Sequence, residues 1–207
     1  MSRGSVNRKR TTNSGTRFTP AYYRRYYEDP RTAVTSAAEM RARACLIAAF
    51  TAHLGLPVRR ILEAGCGTGL LHAELRRVLP RAHCLGLESS EYLCRRYGWQ
   101  HGRLEDYRPA TPFDLVICYD VLQYLPREAA QRALANCARL TRGVLYFSAL
   151  TRHDFAHNCD RRRTDPDVHL RSGRWYRQHL ARNFREAGLG LWLRRGAPFT
   201  LWELESE

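Results

Sequence analysis

Lysine is almost missing from this 207-residue chain. Lys9 is the only one, and 33 of the 34 basic residues are arginine. That imbalance points to a bias toward arginine as much as to selection for its forked guanidinium. Set against 20 acidic residues, it leaves a formal net charge of +14. The basic residues are scattered along the chain, which favours a solvated basic surface. A nucleic-acid or other polyanion footprint and an acidic small substrate stay open beside it. The densest clusters are residues 161–163 and 3–17.

Other absences narrow the class further. No stretch approaches the roughly 20 apolar residues that span a bilayer. The basic start, MSRGSVNRKRTT, has no apolar core behind it and does not read as a secretory signal. The expectation is a cytoplasmic protein without membrane segments. Seven cysteines make an odd number, and no C-x-x-C pair occurs. Free, mostly buried thiols in a reducing compartment follow. No internal repeat is apparent. A 44% hydrophobic and 26% charged composition suits one soluble domain with a sizeable core.

Residues 1–17 are rich in Ser, Thr, Asn, Gly and Arg, and are expected to be a disordered basic tail. The rest, 18–207, reads as one domain that begins with a helical segment, 18–58. Tyr22, Tyr23, Tyr26 and Tyr27 cluster at near-helical spacing, and residues 33–54 read as a long helix. Strands at 60–64, 83–88, 99–102, 113–119 and 143–149 then alternate with helices at 70–78, 90–97 and 127–140. A polar, irregular stretch, 151–172, is followed by a helix at 175–187. Two last strands, 189–194 and 199–205, are joined by a gap that suits a hairpin. Alternating strands and helices give an α/β fold, a doubly wound, mostly parallel seven-stranded sheet. The closing hairpin makes its last pair antiparallel.

The chemistry concentrates in ILEAGCGTG, residues 61–69. A buried strand runs through Glu63 into Gly65, Gly67 and Gly69, and a helix follows at once. Glycine permits the sharp turn and lets a ligand lie against the backbone. The helix N-terminus supplies unpaired N–H groups. Glu88 ends the next strand, where a carboxylate can accept both hydroxyls of a ribose. A dinucleotide loop would read G-x-G-x-x-G; here the spacing is G-x-G-x-G with an acid in front. Glu63 would repel a pyrophosphate but can pair with the ammonium of an amino-acid moiety. S-adenosylmethionine carries such an ammonium, a ribose and no phosphate.

On these residues the chain resembles the class I S-adenosylmethionine-dependent methyltransferases, over roughly residues 20–207. ILEAGCGTG matches the family's first motif, LGLESS the second, and PFDLVICYDVLQYL the fourth-strand motif of the small-molecule branch. The resemblance implies S-adenosylmethionine as cofactor, a Rossmann-like sheet and no metal. It implies a cofactor site of Glu63, Gly65, Cys66, Gly67, Thr68, Gly69, Glu88, Ser89, Leu104, Glu105 and Tyr119, with Tyr23 reaching in from a lid. Arg103 stands where the family's third motif often has an acid, which moves the adenine contact to Glu105 and the Leu104 backbone.

Methyl transfer from a sulfonium asks the protein mainly to align a nucleophile about 3–3.5 Å from the methyl and to exclude water. The acceptor side is expected from the loop after the fourth strand, the tyrosine cluster and the insertion 151–172. Tyr119, Tyr124, His153 and His157 are the candidate catalytic groups, since a hydroxyl or protonated amine needs a proton acceptor. Arg161 and Arg171 are candidates to grip an anionic acceptor, with Trp175 and Tyr176 lining it. His153, His157, Cys159 and His169 match no standard zinc spacing. A small-molecule acceptor is the expected partner. RNA or protein is the alternative, against which the absence of an (N/D)-P-P-(Y/F) motif counts.

Overall fold

The computed structural model describes residues 17–202. The N-terminal segment opens with a one-turn helix α1 (Pro20–Tyr23), capped by Thr19, and continues as a π-helical turn, Arg24–Glu28. Helix α2 (Ala37–His53) starts at a capping box. The Glu39 N–H donates to Ser36 Oγ at 3.2 Å, and the Ser36 N–H donates to the Glu39 carboxylate at 2.7 Å. The next strands and helices are β1 (Arg60–Ala64), α3 (Leu70–Val78), β2 (His83–Glu88), α4 (Glu91–Tyr97), β3 (Gln100–His101) and β4 (Phe113–Tyr119). After a 3₁₀ turn at Leu122–Tyr124 come α5 (Arg127–Leu140), β5 (Thr141–Ser148), α6 (Arg152–His157), α7 (Gly173–Leu180), β6 (Phe184–Gly188) and β7 (Leu191–Arg194).

The seven strands form one sheet in the order β3-β2-β1-β4-β5-β7-β6. Six run in one direction, and β7 alone opposes them, pairing antiparallel with both β5 and β6. The direction of winding reverses between β1 and β4, so their carboxyl ends diverge into a crevice. β4 is apolar on both faces, because helices cover both sides of a parallel sheet. One core layer packs Leu62, Val116 and Leu145 under α5 and α7. The other packs Ile61, Leu115 and Val144 under Met40, Ala44 and Ile47 of α2 and Leu71 of α3. At the far end of the sheet, buried Asp114 accepts the Arg59 and Arg60 N–H groups at 2.9 and 2.8 Å, and Arg142 at 2.6 Å. That acid ties the start of β1 to β4 and β5.

Three expectations from the sequence need correction. The closing hairpin lies at Phe184–Gly188 and Leu191–Arg194, not at 189–194 and 199–205. Its turn is Leu189-Gly190, with positive φ at Gly188, Leu189 and Gly190. Gly-Leu-Gly supplies the left-handed positions such a turn needs, and Leu189 stands 77% exposed at its tip. Residues 199–202 form no strand, and 203–205 lie outside the described residues. Helix α7 accordingly stops at Leu180, where the last helix was expected to run to 187. The stretch 151–172 is not irregular throughout: Thr151 caps the two-turn α6, and Thr151 pairs with Arg171 in an isolated parallel bridge. The tail expected at 1–17 lies, apart from Arg17, outside the described residues. Among the described residues no helix is long and apolar enough to cross a membrane.

Candidate active site

β1 ends at Ala64, and the chain turns through Gly65, Gly67 and Gly69 at φ values of 69°, 52° and 81°. All three lie in the left-handed region that disfavours a side chain. Gly65 and Gly69 are also sterically closed. A Cβ on Gly65 would fall 2.5 Å from Val121 Cγ2, and one on Gly69 would fall 2.7 Å from the Trp99 ring. Gly67 has nothing within 4 Å of its Cβ position. Trp99 holds the loop from behind, donating its indole N–H to the Gly67 carbonyl at 3.0 Å. Sequence reasoning missed Trp99 as a support. Two small residues opposite one indole, Gly69 and Gly86, were its only signal.

Glu88, buried at the end of β2, points back at this loop. Its Oε2 accepts the Gly67 N–H at 3.0 Å, and its Oε1 accepts the Ser89 and Ser90 N–H groups at 2.7 and 2.9 Å. Ser90 caps α4 with its side chain, so Glu88 and Ser90 together order the β2–α4 turn. Glu63 is 5% exposed and meets His72 Nδ1 of α3 at 3.1 Å. Burial holds its carboxyl above the usual range, against the pull of the His72 contact. His72 was also missed, and only its place one turn into α3 marks it. Cys66 is buried against the Leu87 carbonyl, and burial pushes its thiol far up. It and Cys118 are packing groups and not nucleophiles. All seven cysteines are free; Cys66, Cys118 and Cys137 are buried, Cys84, Cys94 and Cys159 half-buried, and Cys45 is exposed, against the expectation of mostly buried thiols.

Across the crevice, Tyr119 closes β4 and Asp120 follows at φ 54°, one of two non-glycine residues with positive φ among those described. The Arg43 guanidinium of α2 stacks 4.2 Å from the Tyr119 ring and donates Nε–H to the Tyr146 hydroxyl at 2.7 Å. Burial raises the Asp120 carboxyl, opposed by hydrogen bonds from Tyr119 and Gln123 and by the Arg43 charge. The tyrosine segment lies over the top. Tyr23 is buried beside Glu88 and Ser90. Tyr27 sits between Asp120 and Tyr124, and burial drives its phenol well up. A chain of hydrogen bonds runs from Tyr124 through Tyr22 to Asp165, both links at 3.1 Å. Arg17 seals it, donating to Asp165 at 2.8 Å with its guanidinium 5.1 Å from the Tyr124 ring centre. The remaining cleft, between Gly65, Glu63, Asp120 and Tyr27, has a volume of about 70 Å³. A larger groove of about 270 Å³ lies at the β6–β7 edge, remote from the strand carboxyl ends.

The structure therefore brings Glu63, Gly65, Cys66, Gly67, Thr68, Tyr119 and Tyr27 to one cleft. Gly69, Glu88, Ser89 and Tyr23 adjoin it, and Tyr124 lies behind it. Leu104 is a core residue whose carbonyl accepts Asn136 at 2.6 Å, and Glu105 is buried in an ion pair with Arg103 at 2.8 Å. Six expected groups are elsewhere. His153 and His157 are exposed on α6, stacked on each other at 4.7 Å, with no contact to the cleft. Arg161 is exposed and turned to the Phe155 carbonyl and ring. Arg171 is buried, but its guanidinium already donates to the carbonyls of Leu122, Leu125 and His169 and contacts the Tyr176 hydroxyl. It pins the 3₁₀ turn and is not free to grip a carboxylate. Tyr176 belongs to the core, and Trp175 packs against Arg171 and His179. No group of His, Cys, Asp and Glu able to hold a metal occurs among the described residues.

Comparison with known proteins agrees with this geometry. Residues 61–143 match a family described as a methyltransferase domain. The ubiquinone biosynthesis O-methyltransferase of Hahella chejuensis is 32% identical over 113 residues, 47% of this chain and 46% of that protein. The enzyme of the same name from Aromatoleum aromaticum is 31% identical over 114 residues, 48% and 47% of the two chains. The chain thus spans about half the length of the curated relatives it matches. Among solved structures, the N-methyltransferase NodS of Bradyrhizobium japonicum, in complex with S-adenosyl-L-homocysteine, superposes with a TM-score of 0.61. It is 16% identical, covering 84% of this chain and 97% of that one. Magnesium protoporphyrin IX methyltransferase of Synechocystis, with bound S-adenosylmethionine, gives 0.55 at 20% identity over 84% and 90%. At such identities the likeness is one of fold. Fold and glycine loop together define a class I, Rossmann-like methyltransferase domain. Residues 61–143 of this chain match such a methyltransferase domain, and the sheet around them has the fold of the solved methyltransferases.

Proposed function

We propose that this protein transfers the methyl group of S-adenosylmethionine to a small-molecule acceptor. The observation that carries this reading is a glycine cradle lined by carboxylates and by no basic side chain. Such a cradle suits an amino-acid nucleoside without phosphate and repels a pyrophosphate. Glu88 Oε2 has one lone pair engaged by Gly67 N–H and keeps another for a ribose hydroxyl. Glu63 stands beneath the loop for the ammonium end, directly or through water. The bound sulfonium supplies an activated methyl and a neutral thioether leaving group. Cys66, Thr68 and Ser89 contribute backbone around the loop, and Leu104 and Glu105 flank the adenine end. A cleft of about 70 Å³ holds two or three waters at roughly 30 Å³ each. Cofactor entry therefore requires Tyr23 and Tyr27 to swing outward, and their return excludes water from the reaction. The curated relatives are O-methyltransferases, which supports an oxygen nucleophile.

Thermal unfolding tests the reading. S-adenosylmethionine and S-adenosylhomocysteine should raise Tm, with a stabilisation of about 2.7 kcal/mol at a hundred times Kd. NAD should not. Glu88→Ala should remove the shift while circular dichroism stays native. A protein whose Tm ignores both sulfur nucleosides does not work this way.

A further inference from the structure

The acceptor side of the cleft has a chemistry of its own, which rests on the reading above and sharpens it. Four arginines surround it, and each has a partner. Arg171 faces carbonyls, and Arg163 donates to the Ala33 carbonyl. Arg17 pairs with Asp165 and Asp167, and Arg43 with the Tyr146 hydroxyl and the Tyr119 ring. What faces the cleft is a carboxylate, Asp120, between the phenols of Tyr27 and Tyr119. Its backbone sits in a conformation that non-glycine residues adopt only at a cost, which is characteristic of groups aimed for function. Gln123, 4% exposed, lies beside Asp120, and its Oε1 has no partner. Tyr119 and Gln123 place polar groups beside Asp120 on the protein side, where both favour its charged form.

We propose that Asp120 is the group that receives the acceptor's proton, so that the acceptor is a protic nucleophile, a hydroxyl or an amine, and not a carboxylate. In the step, a lone pair on the acceptor oxygen or nitrogen forms the new bond to the methyl carbon. The carbon–sulfur bond breaks with its electron pair going to sulfur, and the acceptor's proton passes to the Asp120 carboxylate. Gln123 is a positioning residue. An anionic acceptor would meet Asp120, whose charge Asp154 already opposes, and no guanidinium lining the cleft.

Binding separates this from the cofactor reading. Catechol, benzylamine and benzoate are titrated calorimetrically into the full-length protein, alone and with S-adenosylhomocysteine. The expected result is that catechol or benzylamine binds at least about tenfold more tightly than benzoate, which is 1.4 kcal/mol. Which of the two binds better tells oxygen from nitrogen. Asp120→Asn, which tolerates the left-handed backbone, should narrow the preference below about threefold and keep the S-adenosylhomocysteine thermal shift. It should also remove the acidic limb of the kcat/KM profile, which a packing role would leave in place. Arg43, Tyr119, Gln123, Tyr124, Tyr27, Asp154 and Tyr176 are the groups that face Asp120 and set that limb. Benzoate binding as well as the protic probes, no binding by any of them, or a preference unchanged in Asp120→Asn overturns the proposal. A lost thermal shift in the wild type overturns the cofactor reading instead.

Discussion

The two walls of the crevice are built by different means. The wall formed by β1, the glycine loop and β2 is stitched by neighbours. Gly65 N–H reaches the Leu87 carbonyl at 2.7 Å, Glu88 binds its own following turn, and Glu63 meets a histidine nine residues on. The opposite wall joins distant pieces of chain: Arg17 to Asp165 across 148 residues, Tyr22 to Tyr124 across 102, Arg171 to Leu122 across 49. A wall made of local backbone geometry is brittle toward substitution. One made of side-chain contacts between distant segments gives way in parts.

The sharpest break in that contrast is at Gly65. Gly65→Ala combines left-handed strain with a clash against Val121, together about 2–5 kcal/mol. Gly67→Ala meets open space and carries only the backbone term, about 1–2 kcal/mol. Urea unfolding of the two variants measures the difference. Equal losses would mean that the loop gives way to the added methyl without cost. A middle-sized effect is expected on the other wall. Asp165→Ala removes the anchor of both Arg17 and Tyr22, and should speed amide exchange in residues 22–27 by about tenfold, or 1.4 kcal/mol. Exchange in β1 and β2 should not change. If the tyrosine segment exchanges as slowly as before, its seat depends on ring packing and not on Asp165.

Glu63 makes the local wall sensitive to pH. Its folded-state carboxyl lies above the ordinary value of 4.5. Between those two values the folded protein holds a proton that the unfolded chain has lost. Stability therefore falls as pH rises through that window. Glu63→Gln removes the titration while its amide oxygen still accepts from His72 Nδ1–H. Its stability relative to wild type should grow as pH is raised from about 5 to about 8, read by urea unfolding at each pH. A difference that is flat with pH would place the Glu63 carboxyl at its ordinary value.

The same contrast explains what could be read before the structure. The bounds of β1, β2 and β4 are coded within runs of about ten residues, and those three strands fell where expected, with the glycine loop between β1 and α3. The sheet order agrees with the alternation of strands and helices. The Gly188-Leu189-Gly190 turn was equally local, but an apolar run at 199–202 competed with it for the last strand. The acceptor wall was legible only as a list of segments. Nothing in HDFAHNCDRRR says that its histidines face outward, because that depends on how α6 packs. Arg171 reads as an anion grip by residue type, yet the carbonyls of a turn 46 to 49 residues earlier take it up. Asp120 and Gln123 sit in the motif DVLQYL, but only the φ of Asp120 and the burial of Gln123 single them out.

The smallest effects should come from the residues that composition makes most conspicuous. The run 161–163 is one of the densest basic clusters of a chain with charge +14. Arg161 is exposed and reaches the Phe155 carbonyl only at 3.4 Å, and His153 is exposed one helix away. Neither contacts the cleft, and a solvated charge contributes little where no buried partner awaits it. Arg161→Ala and His153→Ala should each stay within about 0.5 kcal/mol of wild type and leave the S-adenosylmethionine thermal shift unaltered. Arg163, two residues on, differs, because it donates to the Ala33 carbonyl at the foot of the tyrosine segment. Arg163→Ala should raise amide exchange in that segment, in the same direction as Asp165→Ala. A kinetic defect in Arg161→Ala larger than in Arg163→Ala would show that the charge cluster, and not the seating of the tyrosine segment, is what this insertion contributes.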